Sequence, residues 1–493
     1  MQKNYLTYSL LILFLTISFA VIISKGIAYF VPSRQQFKTF NPISDFKISD
    51  AQPSVIEEMT PSSVLLPNIS DSLNTSDLPN DTIVAADSIE KISFPDISSV
   101  SEIGEGLSDF SGSKKWIEKI RNKIAHAREE KMVIAFIGDS FIEGDIFVAP
   151  FRDKLQQNHG GCGVGLVPIT SVVNRFRVTV KHDYSGGWKQ YSATHHHKNG
   201  YTLSEKYDVP MSAASVTYKT VKNPYNLSHA EEVNVLYSSL NSTSIRYKIN
   251  DGEKIDTVLS ATGGTVSIFR PNILDNEVRH FEMNVSPSDD TQFHGVALDG
   301  RSGINVDNLS LRGASGISLG GILSSLSTSL QEKRPYDLLI LTFGLNVINP
   351  KQPNDTYHWY LRSMEKSITH LKEIYPDVPI LILSVSDRCS RKDNELTTLP
   401  GVFNLMLVQY NLARRQGCLF WNTYAAMQEL GGMPELVRKG FAAKDYTHIG
   451  AKAGILLADL LYRDLMGEES KLKTEAEQRT EKADTMMTAE EEL

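Results

Sequence analysis

The chain has few cysteines and no excess of basic residues, and each shortage excludes a class of protein. Its three cysteines, Cys162, Cys389 and Cys418, are too few for a disulfide framework, and none belongs to a Cys-x-x-Cys pair of the kind that binds zinc. Lysine and arginine together number 50 against 58 acidic residues, which gives a formal net charge of −8 with histidine neutral. Because the sequence also has no basic stripe, we predict that nucleic acid is not a partner.

A long uncharged apolar run occurs at the amino terminus, between Lys3 and Lys25. Residues 6–24 are just long enough to span a bilayer as a helix. A cleaved secretory signal is the alternative, but the run continues past Ala20, where a cleavage site would lie. We therefore predict that residues 1–30 form a signal anchor or transmembrane helix. The rest of the protein would then be exported and tethered on the periplasmic or extracytoplasmic side of the membrane.

Two polar stretches have no lasting helical or strand periodicity. Residues 31–112 are dominated by serine, aspartate, asparagine and proline, and such a stretch cannot bury enough apolar surface to offset its ordering entropy. Residues 467–493 carry nine acidic and four basic side chains and almost no apolar face. We predict a disordered linker over 31–112 and a solvated acidic tail over 467–493.

Between these polar stretches, short apolar segments alternate with amphipathic ones. Strands that alternate with helices predict an α/β fold in which helices cover both faces of a parallel sheet. We assign the two parts of this domain to residues 113–172 and 306–466. In chain order, the patterns predict strand 133–137, helix 146–157, strand 336–344, helix 358–375, strand 378–386, helix 402–417, strand 418–424 and helix 449–466.

The segment between the two α/β parts has a different pattern. Over residues 173–305, apolar and polar residues alternate with a period of two, as in "RFRVTVKHDY" and "SIRYKIN". Turn sequences such as "NDGE" and "SPSDD" separate these runs at short intervals. This pattern is typical of an all-β sandwich, so we predict that one is inserted into the α/β domain.

Three residues have the types and positions needed for nucleophilic catalysis. Ser140, in "AFIGDSFIEGD", follows the apolar strand 133–137, and the carboxyl end of a strand is where open α/β sheets place ligands. In "KDYTHIGAKAG", Asp445 and His448 are three residues apart, so the carboxylate can reach the imidazole while the other ring nitrogen faces a nucleophile. Taken singly, these residues could instead cap helices or complete turns.

Two further residues could stabilise a developing oxyanion. Gly313, in "LRGASG", could offer its backbone N–H, and Asn346, in "TFGLNVI", could offer its side-chain amide. Each also suits an ordinary turn.

Taken in chain order, these motifs resemble the SGNH (GDSL-type) hydrolase family. The resemblance implies a three-layer, SGNH/flavodoxin-like parallel sheet. It also implies that Ser140 is the nucleophile, that His448 is its general base and that Asp445 orients His448. The chain departs from the family where Phe141 follows the serine and where Val347 replaces an aspartate. The matching residues are Gly138-Asp139-Ser140, Gly313, Gly344 with Asn346, and Asp445 with His448, and the implied oxyanion donors are the N–H groups of Ser140 and Gly313 and the amide of Asn346.

The position of the inserted module resembles that in peptidoglycan O-acetylesterases, where a carbohydrate-binding-like sandwich interrupts the SGNH domain. The resemblance implies an esterase that removes O-acetyl groups from a cell-envelope glycan, with peptidoglycan favoured and no cofactor. An O-acetyltransferase with the same triad and a non-catalytic glycan-binding envelope protein remain alternatives.

Several side chains of the insert could bind a ligand. The rings of Tyr184, Trp188 and Tyr191 could stack on sugars, or they could be core or edge residues of the sandwich. The histidines at 195–197 suggest a metal, but three adjacent histidines in a loop cannot easily face one ion, so we predict no metal site.

Overall fold

The computed structural model describes residues 96–467 apart from 197, 199, 223–224, 226–228, 274–276 and 393–394. The predicted membrane segment, residues 1–30, lies outside the described residues, as do most of the predicted linker and nearly all of the acidic tail. Among the helices of the described part, none combines the length and the apolar character needed to cross a bilayer.

The described residues form an ordered series of strands and helices. The strands are β1 (Leu107–Asp109), β2 (Lys131–Gly138), β3 (Gly163–Val167), β4 (Val180–Tyr184), β5 (Trp188–Ser192), β6 (Lys206–Pro210), β7 (Ala214–Thr220), β8 (Glu232–Ser238), β9 (Thr243–Ile249), β10 (Ile255–Leu259), β11 (Ser267–Phe269), β12 (His280–Val285), β13 (Gln292–Asp299), β14 (Gly303–Ser310), β15 (Leu338–Thr342), β16 (Ile380–Leu383), β17 (Cys389–Lys392), β18 (Glu395–Thr398) and β19 (Leu419–Trp421). The α-helices are α1 (Trp116–Ala125), α2 (Val148–His159), α3 (Ser324–Lys333), α4 (His358–Ile374), α5 (Pro400–Gln416), α6 (Thr423–Glu429), α7 (Gly432–Arg438) and α8 (Ala451–Met466).

A six-stranded sheet with the order β1-β19-β16-β15-β2-β14 forms the centre of the α/β part. Every neighbouring pair is parallel except β1 with β19. Strand β2 lies between β14 and β15, and all of its residues after Lys131 are buried. A strand that is buried on both faces needs a continuous apolar run, which explains the composition of "KMVIAFIG". The predicted α/β class is therefore confirmed.

The carboxyl ends of three neighbouring strands lie level with one another. Gly138, the last residue of β2, pairs in register with Ser310 of β14 and with Thr342 of β15. A Cβ atom at Gly138 would lie 2.5 Å from the side chain of Thr342, so only glycine fits there. The loops that follow β2, β14 and β15 therefore start beside one another.

Two antiparallel sheets lie between the two parts of the parallel sheet in the sequence. One has the strand order β10-β9-β12-β7-β4, and the other has the order β11-β8-β13-β6-β5, with β3 also paired to β13. Side chains of both sheets, such as Val216 and Phe281 from the first and Val235 and Phe293 from the second, belong to a single buried core. In the first sheet, buried residues alternate with more exposed ones along β7, β9 and β12, which produces the period of two seen in the sequence. In the second sheet, all but the first residue of β8 and of β13 are buried.

The element boundaries differ from the predicted domain boundaries in three places. Residues 96–112, assigned to the linker, are ordered, and β1 pairs with β19 through Leu107 and Trp421. Strand β3, assigned to the α/β part, pairs with β13 of the insert. Strand β14 joins the parallel sheet from Gly303, two residues before the predicted end of the insert at 305. Each of these pairings depends on a distant strand, so no local pattern marks it.

Candidate active site

Ser140 and His448 meet where the loop after β2 faces the loop before α8. Ser140 Oγ lies 3.1 Å from His448 Nε2. The helix α8 packs against α2, and a Cβ atom at Gly454 would lie only 2.2 Å from the carbonyl oxygen of Ile146, two residues before α2 begins. This close approach brings the start of α8, and with it His448, next to the turn that carries Ser140.

Asp445 completes a continuous chain of hydrogen bonds. Its Oδ2 lies 2.7 Å from His448 Nδ1, and its Oδ1 accepts the backbone N–H groups of Thr447 and His448, both at 3.0 Å. Partial burial opposes ionisation of this carboxyl, but the hydrogen bonds from His448 and Thr447 hold its pKa below the ordinary value. The carboxylate is therefore ionised and fixed toward the ring, so that Nδ1 carries the hydrogen and Nε2 is the basic nitrogen facing Ser140.

Gly313 lies in an exposed turn directly after β14. The turn is held against the strand of the serine, because the N–H of Leu311 donates to the carbonyl of Gly138 at 2.9 Å. Gly313 has a φ of +81°, a left-handed conformation that favours glycine. The nearest atom to a Cβ built at Gly313 is Thr194 Cγ2, at 3.9 Å, so a loop of the insert approaches this glycine.

Asn346 lies between the serine turn and the Gly313 turn, and its amide contacts both of them. Its Nδ2 donates to Asp139 Oδ2 at 3.2 Å and to the carbonyl of Ala314 at 3.0 Å. An amide nitrogen has two hydrogens, and both are given to protein acceptors here. Asn346 thus braces the two turns, and donation to an oxyanion would require it to give up one of these bonds.

Asp139 is the buried link between the serine turn and the loop after β15. Besides Asn346, its carboxylate accepts the backbone N–H of Phe141 at 2.8 Å and those of Gly344 and Leu345. Burial raises the pKa of this carboxyl to about 6 in spite of these donors. The contacts agree with a structural role for Asp139, which holds two loops of the site in register.

A second buried aspartate, Asp145, was not identified from the sequence. Its carboxylate accepts hydrogen bonds from Arg152 of α2, from Asn308 of β14, and from Arg177 and Thr179 of the insert, at 2.7–3.3 Å. Burial opposes its ionisation, but the two guanidinium groups outweigh burial and lower its pKa far below the ordinary value. Asp145 therefore ties the serine turn to the sheet and to the insert at one point.

The aromatic residues considered as sugar platforms have different environments. Trp188 donates from Nε1 to the carbonyl of Ser215 at 2.9 Å and packs edge-on against Phe293, so it is a partly buried residue that packs against the insert's core. The ring of Tyr191 lies beside Tyr207, with the centroids 5.5 Å apart. Lysine ammonium groups lie over the Tyr191 ring, 4.9 Å and 5.1 Å from its centroid.

Tyr184 and the histidines of the insert have contacts of their own. Tyr184 is partly exposed and donates its hydroxyl to the carbonyl of Ser171. The rings of His195 and His196 are 6.3 Å apart and nearly perpendicular. His197 lies outside the described residues.

Beyond the carboxyl ends of its parallel strands, the sheet carries a serine, a histidine and an aspartate joined by hydrogen bonds, in the chain order that the SGNH resemblance implies. No protein-family model matches the chain, and no curated protein does.

A solved structure resembles the chain at the level of the fold, and two others are similar over about a third of the chain. A peptidoglycan O-acetylesterase is similar with a TM-score of 0.59 and 20% sequence identity, and the similarity covers 73% of this chain and 97% of that one. An acetylxylan esterase from Geobacillus stearothermophilus gives a TM-score of 0.26 at 20% identity over 33% of this chain and 73% of that chain. A GDSL-like lipase from Parabacteroides merdae gives 0.26 at 14% identity over 34% and 74%. The first similarity confirms the predicted SGNH resemblance as a likeness of fold.

Proposed function

We propose that the protein is a serine esterase that removes O-acetyl groups from a cell-envelope glycan, with peptidoglycan as the favoured substrate. The observation that carries the proposal is the unbroken hydrogen-bond chain from Ser140 Oγ through the His448 ring to Asp445, with distances of 3.1 Å and 2.7 Å. The nucleophile is within hydrogen-bonding distance of the base, and the base is within hydrogen-bonding distance of the aspartate that orients it.

The proposed reaction has two steps. Ser140 Oγ attacks the acetyl carbonyl carbon while His448 Nε2 takes the hydroxyl proton, and the backbone N–H groups of Ser140 and Gly313 hold the oxyanion. His448 then returns the proton to the sugar oxygen, which leaves as a hydroxyl, and the acetyl group stays on Ser140. A water molecule that loses a proton to the same imidazole attacks this ester, and acetate leaves as Ser140 regains its hydrogen.

The exposure of His448 and Asp445 supports transfer of the acetyl group to water rather than to another sugar. The side chains of His448 and Asp445 are 44% and 49% exposed, so solvent water can reach the imidazole that would activate it. A transferase with the same triad would have to keep water away from the acyl-enzyme.

The glycan assignment is supported by the insert and by the structural neighbour. The two antiparallel sheets share one core, as the halves of a sandwich do, and one loop of the insert reaches Gly313. One structural neighbour, whose similarity covers 73% of this chain, is a peptidoglycan O-acetylesterase. We also propose, from the apolar run at residues 6–24, that the enzyme is exported and tethered to the membrane, which would bring it to such a substrate.

Acetate release from O-acetylated peptidoglycan, compared with O-acetylated xylan, tests the proposal. We expect the wild-type protein to release acetate from peptidoglycan faster than from xylan, and Ser140→Ala to release essentially none from either. Ser310→Ala, in the neighbouring strand, is the control and should retain activity. Turnover of a small acetate ester without acetate release from either polymer would refute the assigned substrate but not the assigned esterase activity. No Ser140-dependent turnover at all would refute both.

A further inference from the structure

Three side chains of the kinds that bind metal ions converge at the end of the parallel sheet opposite to Ser140. The ligand atoms of Cys162, His229 and Glu231 all lie within 4.8 Å of one another. They lie near the start of β14, whose first residue pairs with the first residue of β2. Ser140 follows the last residue of β2, so the length of that strand, about 23 Å for eight residues, separates the two places.

Cys162 lies in a turn that packs closely against neighbouring backbone. It lies between Gly161 and Gly163, whose φ angles are +112° and +77°. A Cβ atom at Gly161 would lie 2.5 Å from the carbonyl oxygen of Ile304, so this turn packs directly on β14. On the other side, a Cβ atom at Gly300 would lie 3.2 Å from Cys162 Sγ. The absence of a side chain at Gly300 leaves space beside the sulfur.

His229 and Glu231 come from one extended segment that leads into β8. The residue between them, Ala230, is fully buried and forms a bridge with Val278, so the side chains on either side of it share the opposite face. Glu231 Oε2 accepts the backbone N–H of Arg301 at 2.8 Å. Such a bond from outside the ligand set fixes the orientation of a coordinating carboxylate.

We propose that Cys162, His229 and Glu231 bind a zinc ion that joins the turn after α2 to the segment leading into strand β8 of the insert. A thiolate, an imidazole and a carboxylate are the ligand types that zinc prefers, and three protein ligands with a water molecule complete a tetrahedral site. When zinc binds, the thiol proton is released to solvent, and the two negative ligands balance the charge of the ion.

The lysine beside this cluster pairs with carboxylates outside it. Lys131 forms hydrogen bonds to Glu232 at 2.8 Å and to Asp299 at 3.3 Å. The ammonium group is therefore engaged by other carboxylates than Glu231.

Zinc content of the full-length chain, purified in detergent, tests the inference. After incubation with zinc and removal of the excess, we expect one zinc per wild-type chain and one per Cys418→Ser chain, a control that removes a buried cysteine elsewhere. Cys162→Ser and His229→Gln should each retain less than about 0.1 zinc per chain. Cobalt should give a thiolate-to-metal charge-transfer band with wild type and not with Cys162→Ser.

Thermal unfolding separates loss of the site from loss of the fold. Zinc should raise the Tm of wild type and of Cys418→Ser, and leave the Tm of Cys162→Ser unchanged. Without metal, wild type and Cys162→Ser should unfold at similar temperatures. Wild-type protein that retains no zinc, or a Cys162→Ser variant that retains as much zinc and cobalt absorption as wild type, would overturn the inference. Esterase activity does not enter these readouts, so the result is independent of the proposed function.

Discussion

Two aspartates near Ser140 experience opposite effects on their charge. Asp445 is half exposed, and hydrogen bonds from its own loop keep its pKa below the ordinary value. Asp139 is buried, and burial raises its pKa to about 6. The first carboxylate can therefore stabilise positive charge on His448. The second holds two loops together, although burial disfavours its ionised form. Separate substitutions distinguish these two roles.

Replacing Asp445 by Asn keeps the shape of the side chain but removes the acceptor for His448 Nδ1–H. The amide would favour the wrong tautomer of the ring, leaving Nε2 unable to take the proton of Ser140. We expect kcat on a chromogenic acetate ester to fall by about 100- to 10,000-fold. KM should change by less than about threefold, because Asp445 does not touch the substrate in the proposed mechanism. Asp459→Asn, in a surface ion pair on α8, is the control, and a kcat near that of wild type in Asp445→Asn would contradict the assigned role.

Replacing Asp139 by Asn should change how stability depends on pH. The carboxyl has a pKa of 3.8 when unfolded and about 6 when folded, so the folded protein binds this proton more tightly. Its contribution to stability is present below the unfolded pKa and is lost as the pH rises through the folded one, a difference of up to about 3 kcal/mol.

The measurement is urea unfolding of wild type and Asp139→Asn at several pH values. We expect the free energy of unfolding of wild type, relative to the variant, to decrease as the pH rises from about 4 to about 6.5. A constant difference between the two proteins over this range would show that the carboxyl of Asp139 is not shifted in this way.

At the scale of elements, a buried ion pair and a hydrogen bond connect the insert to the turn that carries Ser140. Arg177 and Thr179, just before β4, reach the carboxylate of Asp145, which follows the serine by five residues. The Arg177 and Asp145 side chains are 8% and 0% exposed. Because a buried charge needs its partner, loss of Arg177 affects both elements at once.

Arg177→Met should destabilise the protein by about 2–4 kcal/mol, since Asp145 keeps Arg152 but loses one of its two guanidinium partners. The matched control is Arg246→Met, which breaks an ion pair with Asp256 whose side chains are 55% and 71% exposed. Because solvent screens that exposed pair, its loss should shift the urea midpoint much less than the loss of Arg177 does. The urea midpoints of the two variants measure these losses of stability. Equal losses would show that the buried contacts of Asp145 stabilise the protein no more than the exposed ion pair does.

The elements that the sequence predicts best are those whose pattern is long and local. Helices α4 and α5 lie within two residues of the predicted spans 358–375 and 402–417, because many turns of amphipathic pattern define each one. Strands β1 and β3 were not predicted, because they contain only three and five residues and are defined by pairing with β19 and β13.

At the scale of the whole molecule, the parallel sheet explains why part of the site could be predicted. Ser140, Gly313 and Asn346 each follow the carboxyl end of a strand, and the register of β2, β14 and β15 brings those ends together. Their positions after predicted strands, together with the resemblance of their motifs to the SGNH family, were enough to select them. Asp145 and the Cys162 cluster depend on residues far away in sequence, and their partners become visible only in the folded chain.

At the edge of the same sheet, residues 96–112 are joined to the folded domain. Before α1, residues 96–112 contribute β1 to the sheet, and the side chain of Asn411 exchanges hydrogen bonds with the backbone of Ile97 at 3.0 Å and 2.9 Å. The carboxylate of Asp109 accepts the N–H of Ile117 at the start of α1. These contacts join the segment to the domain, and they differ from what a linker would make.

Two truncated chains test this boundary. A chain that begins at residue 96 should retain the Tm of the full-length protein and its activity on a small acetate ester, because it keeps every contact just described. A chain that begins at residue 113 loses β1 and exposes the edge of β19, so we expect its Tm to fall by at least about 5 °C, or the chain to aggregate through that edge. Equal Tm values for the two chains would show that residues 96–112 do not stabilise the domain and that the boundary predicted from composition was adequate.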